Sequence, residues 1–234
     1  MNQPPGSLPI YLQITELLIR DIAAGRLIDG EKLPPEREMA EKLNIAIGTL
    51  RKALAELQTR GMLERIQGSG NYIRAVSDPK SVYAMFRLEL IEGGGLPTAQ
   101  VIDVERLPKP DCLPEFGTSG EGHRIRRLRH LSGKTAAIEE IWLDGSYVDH
   151  IVLEDLLESL YLYYRRKIGL WIVRAEDRIG IDTVPEWAPA AFRQPAGAPV
   201  VHILRISEAQ DGKQAEVSRT WLDHSVARYV SRLR

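Results

Sequence analysis

The chain predicts an α/β two-domain protein, and three observations carry that reading. About 65 residues near the start run in the order helix, helix, helix, hairpin. Residues 75–81 contain Ser77-Asp78-Pro79 and read as a linker. The rest alternates strand-like runs with helical ones. The domains this suggests are residues 1–75 and 83–234, joined by a linker at 76–82.

Each element has a local cause. Ile10, Ile14, Leu17, Leu18 and Ile22 recur at helical spacing from Pro9 toward Gly25, which fits a helix stop. Gly30 permits a turn, and Pro34-Pro35 starts a short helix to about Leu43, with Met39, Ala40 and Leu43 as its inner stripe. Glu36 and Glu38 in its first turn suit the positive end of the helix dipole. Asn44 breaks the pattern. A third helix follows from about Ala46 to Arg60, with Leu50, Leu54 and Leu57 inward and Gly61 as the stop. Two short runs around Gly68-Ser69-Gly70 make a hairpin. The few residues between the second and third helices match a helix-turn-helix. Beyond residue 81, strands are predicted at 100–106, 123–131, 136–143, 172–181, 200–209 and 214–222, with Asp211-Gly212 as a hairpin turn. Helices are predicted at 153–167, with Leu153, Leu156, Leu157 and Leu160 inward, and at 187–192.

Composition limits the function. Thirty-one Lys and Arg against 32 Asp and Glu leave a net charge of −1, which excludes a wholly basic nucleic-acid coat and an acidic disordered tail. No apolar run of about 18 residues exists to span a bilayer, and the N-terminus lacks the basic and apolar regions of a signal peptide. Cys112 stands alone, so no intrachain disulfide forms, which fits a reducing cytoplasm. The five histidines show no metal-ligand spacing. There is no Walker loop, no dinucleotide fingerprint and no nucleophile elbow. Tyr161, Tyr163 and Tyr164 read as core and interface rather than a cofactor stack.

Neutrality overall hides a local asymmetry. Between Ala46 and Arg74 lie five basic and two acidic residues. Thr49, Arg51 and Lys52 sit near the N-terminus of the third helix, opposite its leucine face. A helix N-terminus adds a positive field and free N–H groups, the parts needed to hold a helix end in a DNA groove and grip phosphates. In the second domain, Arg127 and Arg129 are two apart on a strand and so share a face. Two guanidiniums converging make a fork for a phosphate or carboxylate. Glu139 and Glu216, on neighbouring predicted strands, offer counter-charge.

Residues 8–74 resemble the winged helix-turn-helix domain of the GntR family of bacterial transcription regulators. The resemblance runs through Pro9-Ile10-Tyr11-Leu12-Gln13-Ile14, residues 30–40 (Gly-Glu-Lys-Leu-Pro-Pro-Glu-Arg-Glu-Met-Ala), Thr49-Leu50-Arg51-Lys52-Ala53-Leu54, Gly61-Met62-Leu63 and Gln67-Gly68-Ser69-Gly70-Asn71-Tyr72-Ile73. It implies DNA contacts at Arg37, Thr49 and Arg51, and a wing tip at Gln67 and Gly68. Ala46 and Ile47 depart from the family's usual Ser or Thr followed by Arg. The lost hydroxyl removes a helix cap, a cost of about 0.5–2 kcal/mol. The lost arginine removes a guanine reader, about 1–3 kcal/mol of discrimination. The operator should therefore differ from the common family one.

Residues 81–234 resemble, more loosely, the UTRA domain of the HutC branch, which shares its α+β fold with chorismate lyase. Gly95-Leu96-Pro97-Thr98, Arg126-Arg127-Leu128-Arg129, Ser132-Gly133-Lys134, Ala137-Ile138-Glu139, Ser159-Leu160-Tyr161 and residues 211–216 (Asp-Gly-Lys-Gln-Ala-Glu) carry it in order. It implies effector contacts at Thr98, Arg127, Arg129, Glu139, Ser159, Tyr161 and Glu216. The expectation is a cytoplasmic, ligand-responsive regulator, a repressor, without cofactor or metal. A dimer should bind a near-palindromic operator, with DNA affinity tuned by a small anionic metabolite. The rivals are a lyase-type enzyme on the same fold and a DNA binder with an inert dimerisation domain.

Overall fold

The computed structural model describes residues 8–23, 26–74, 85–156 and 159–232, in two compact units, Leu8–Phe86 and Arg87–Val230. The expected helix stop at Gly25 and the linker at 76–82 lie outside the described residues.

In the first unit, α1 (Ile10–Ala23), α2 (Glu36–Lys42) and α3 (Ile47–Thr59) precede a hairpin of β1 (Leu63–Ile66) and β2 (Gly70–Ile73). Asn44 and Gly61 end α2 and α3 with positive φ of 52° and 72°. That is the left-handed conformation that stops a helix. Leu50, Leu54 and Leu57 are fully buried against Ile14, Leu18 and Ile22 of α1. Each such leucine stabilises the fold by about 1.5–3 kcal/mol. That outweighs the missing cap of α3, whose first residue follows Ala46 with no side-chain hydrogen bond. Residues 30–33 lie along the hairpin: Gly30 N donates to Ile73 O at 2.9 Å and Leu33 N to Asn71 O at 2.8 Å.

The second unit is built on one antiparallel sheet, ordered β4 (Pro97–Pro108), β5 (Glu121–Leu131), β6 (Lys134–Asp144), β9 (Gln214–Leu222), β8 (Pro199–Ala209) and β7 (Ile172–Thr183). A two-stranded ribbon, β3 (Leu88–Leu90) with β10 (Ala227–Tyr229), stands beside it; neither strand is predicted, since three residues carry little periodicity. The two faces hold separate cores. On one, Ile125, Ile141 and Leu143 pack with Leu156, Leu160, Tyr163, Tyr164 and Leu170. On the other, Leu128, Ile138 and Trp221 pack with Val184 and Phe192, and Trp142 and Val217 with Leu113 and Phe116.

Two helix expectations are corrected. The predicted helix at 153–167 is a 3-10 turn (Leu153–Asp155), then α4 (Leu160–Tyr163) running into a π-helical turn (Tyr164–Ile168). Leu156 is extended. Ser159 starts α4 afresh, its hydroxyl accepting a hydrogen bond from Leu162 N at 3.3 Å. A serine in that position caps a helix start. Residues 187–192 are consecutive turns, not a helix: Ala188 N donates to Pro185 O and Phe192 N to Pro189 O. Pro189 has no N–H to continue a helical ladder.

Candidate functional site

The first unit presents a basic surface organised by one carboxylate. Arg51 and Lys52, on the first two turns of α3, are exposed, and Thr49 is half-buried. Arg51 Nε donates to Glu36 Oε2 at 2.8 Å, and Arg65 Nη2 and Asn71 Nδ2 reach Glu36 Oε1 at 3.0 and 3.4 Å. Glu36 thus ties α2, α3 and the hairpin together. The hydrogen bond from Arg51 holds its carboxyl below the ordinary range against the effect of burial. Arg37 is exposed and meets Glu41 at 3.2 Å. Such a surface pair has small energetic weight. Gln67 and Gly68 form the exposed hairpin tip, where Gly68 takes a φ of 76° and Ser69 N closes the turn onto Ile66 O. Glycine adopts that conformation without steric cost. Arg37, Arg51, Lys52, Gln67 and Gly68 are all open to solvent, and Arg51 and the hairpin share a partner. Sequence reasoning missed Glu36 as the hub, together with Arg65 and Asn71.

The second unit buries its charges. Ser132 and Gly133, both with positive φ, close a two-residue hairpin between β5 and β6. A bulge beyond Arg129 then shifts the register so that Arg127 lies opposite Glu139. Arg127 Nη2 donates to Glu139 Oε2 at 2.7 Å, and Arg129 Nη2 to the same atom at 3.1 Å. All three residues are buried. Burial alone would raise the Glu139 carboxyl; the charges of Arg127 and Arg129 and their hydrogen bonds outweigh it and hold it down.

A second cluster lies on the same face. Glu216 accepts from Tyr164 OH at 2.7 Å, Ser207 Oγ at 3.1 Å and Tyr161 OH at 3.3 Å. Its carboxyl is raised, because burial outweighs those hydrogen bonds and the more distant positive charge of Arg127. Next to it, Arg205 meets both oxygens of Asp177 at 2.6 and 2.7 Å, and Tyr229 OH donates to Asp177 at 2.7 Å. Two arginines thus converge on one firmly ionised glutamate, beside a carboxyl biased toward its neutral form.

The predicted effector residues divide three ways. Arg127, Arg129 and Glu139 form one cluster, and Tyr161 and Glu216 the neighbouring one. Ser159 caps α4, which carries Tyr161. Thr98 precedes Ala99, the register partner of Arg129, so strand alternation directs it to the opposite face of β4 from the Arg129 cluster. Tyr164 proves to be both core and a Glu216 partner. Arg205, Asp177, Ser207 and Tyr229 were missed. Arg205 and Ser207 share a face by period-two spacing, but nothing local marks that face as the one bearing Glu216.

Residues 10–73 match the family model of bacterial regulatory proteins of the gntR family, and residues 92–228 match the UTRA domain. The chain is 71 % identical, over the full length of both, to the HTH-type transcriptional regulator SmoD of Agrobacterium fabrum. It is 27 % identical to the mannosyl-D-glycerate transport/metabolism system repressor MngR of Escherichia coli, over 74 % of this chain and 75 % of that one. The crystal structure of YydK from Bacillus subtilis shares the fold, with a TM-score of 0.55 at 21 % identity, covering 96 % of this chain and 99 % of that one. The chain therefore belongs to the UTRA-containing GntR family of bacterial regulators: it is a DNA-binding transcriptional regulator, not an enzyme.

Proposed function

We propose that this regulator is a cytoplasmic repressor that binds a near-palindromic operator as a dimer and leaves it when a small anionic metabolite occupies the second unit. Arg37, Thr49, Arg51 and Lys52 would meet DNA at the α3 end, with Gln67 and Gly68 at the neighbouring groove. Ile47, exposed where the family carries arginine, offers a methyl surface to thymine rather than a donor to guanine. Affinity then leans on phosphates.

The observation that carries the ligand half is the buried Arg127–Glu139–Arg129 cluster, whose paired guanidiniums suit a carboxylate or phosphate. Ser159, Tyr161 and Glu216 supply hydroxyl and carboxyl groups beside it for a hydroxylated body, while Thr98 enters only if its strand end rearranges. The relative that represses a mannosyl-D-glycerate system supports this class, since glycerate is a hydroxylated carboxylate.

The test is a binding titration of the full chain against duplexes from its own promoter region, with and without hydroxylated carboxylates and sugar phosphates. Sequence-preferring binding relieved by one such compound is expected. Indifference to duplex sequence even in dilute salt would defeat the operator claim, and no response to any anion would defeat the ligand claim.

A further inference from the structure

The element that opens the second unit is held by little backbone. Arg87 is the first residue of that unit, directly after the first unit in the chain, and it leads into β3. β3 pairs with β10 over three residues only, Leu88 opposite Tyr229, Glu89 opposite Arg228 and Leu90 opposite Ala227. Val230 N donates to Arg87 O at 2.8 Å at one end, and Ile91 N to Val226 O at 3.1 Å at the other. A two-stranded ribbon is marginal on its own, so the side chains that tie it down decide where it lies. Leu88 and Leu90 are buried, which holds the ribbon without fixing a direction. Tyr229 adds a directional tie: its hydroxyl donates to Asp177 Oδ2, on β7 of the six-stranded sheet, at 2.7 Å.

Asp177 is also bound to the candidate effector site. Its register partner is Arg205, whose Nε and Nη2 meet its two oxygens at 2.6 and 2.7 Å. Side-chain exposures of 19 % and 12 % set this pair apart from screened surface pairs that exchange partners freely. The Arg205 side chain hydrogen-bonds Tyr161 as well. The Tyr161 hydroxyl lies 3.0 Å from Ser207 Oγ and donates to Glu216 Oε1 at 3.3 Å. Four side chains, Tyr161, Arg205, Asp177 and Tyr229, therefore lead from Glu216 to the ribbon. The fork between Arg205 and Asp177 has one good geometry, so Arg205 cannot turn toward a new partner beside Tyr161 without disturbing Asp177. Tyr229 feels that disturbance directly, because it shares Asp177 Oδ2 with Arg205 Nη2. A ligand that takes up the Tyr161 hydroxyl removes one of the holds on Arg205 and so acts on the far end of this series.

We infer that Tyr161, Arg205, Asp177 and Tyr229 couple the effector site to the β3·β10 ribbon, so that occupancy of the site shifts the strand that follows the DNA-binding unit. This rests on the ligand response proposed above and names the residues that pass it on. Asp177 and Tyr229 are positioning residues, and the ribbon is the element whose placement both ends bias. Amide hydrogen exchange on the full chain tests the coupling without a ligand. Tyr161→Phe removes one hydroxyl in the site and should raise exchange in β3 and β10, relative to the β5 and β6 amides, by about threefold or more. In the Tyr229→Phe background, where the ribbon has already lost its tie to Asp177, the same change should add almost nothing. Operator titration with saturating mannosyl-D-glycerate or inorganic phosphate then reads the regulatory consequence, as the ratio of operator affinities without and with the probe. A wild-type ratio of about 5–150 is expected, falling to about 2 or less in Tyr229→Phe and in Asp177→Asn. No effect of Tyr161→Phe on the ribbon, equal effects in both backgrounds, or a Tyr229→Phe ratio equal to that of the wild type overturns the coupling. A wild type that answers neither probe counts against the ligand reading instead, and the exchange measurements still decide the coupling.

Discussion

Each unit of this protein sets one glutamate between two arginines, and the two settings differ in burial. Glu36 holds Arg51 and Arg65 where the Arg51 side chain is 60 % exposed, while Glu139 holds Arg127 and Arg129 where the Arg127 side chain is 5 % exposed. The exposed trio can trade its carboxylate for a DNA phosphate cheaply, because water screens either pairing. The buried trio cannot, because any arginine released there is left without solvent. In the function proposed above, the same chemistry would serve as a salt-sensitive contact in one unit and as a selective receptor in the other.

The sharpest way to break this comparison is to remove each carboxylate. Glu139→Ala leaves two buried guanidiniums without this counter-ion and should cost about 3–5 kcal/mol of stability. Denaturant unfolding of the second unit reads this, and added phosphate should narrow the gap. A loss under about 1 kcal/mol would mean the cluster is already solvated. Arg129→Ala should weaken effector binding by about 2–5 kcal/mol while operator affinity in its absence stays as in the wild type; normal induction by the effector would refute the receptor assignment.

Arg51→Ala should weaken operator binding and lower the slope of log affinity against log salt by about 1, read by titration at several salt concentrations. An unchanged slope removes Arg51 from the phosphate contacts. Glu36→Gln should cost under about 1 kcal/mol, as surface pairs do.

Two carboxylates, Glu36 and Glu216, sharpen the contrast through pH. The Glu36 carboxyl is lowered on folding, so its contribution is present above the ordinary carboxylate pKa and lost as pH falls through the lowered value. The Glu216 carboxyl is raised, so its protonated form favours folding at low pH, and that contribution disappears as pH rises through the raised value. Stability of Glu36→Gln relative to wild type should therefore improve toward acid, and that of Glu216→Gln should improve toward neutral pH. Parallel unfolding series from acid to neutral pH check both signs; equal slopes for the two variants would contradict the assignment.

Much of the first unit was legible from its residues. Its stops at Asn44 and Gly61, the leucine face of α3 and the hairpin tip are all local signals. The Glu36 hub was not, because its partners Arg51 and Arg65 lie 15 and 29 residues away and no periodicity links them. In the second unit the strands were legible by alternation, whereas the helix expected at 153–167 was not broken by any proline or glycine within it, and only the capping role of Ser159 shows why it restarts.

What the sequence alone determined is which side chains share a face within one element: Arg127 with Arg129, Leu50 with Leu54 and Leu57. That follows from the fixed periods of helix and strand. What only the tertiary structure decided is which faces meet. A two-residue turn at Ser132-Gly133 continued without interruption would set Arg127 opposite Ile138; the bulge beyond Arg129 inserts one residue and sets it opposite Glu139 instead. Because side chains alternate with a period of two, that single residue brings the glutamate to the arginines' side of the sheet, and with it the buried site.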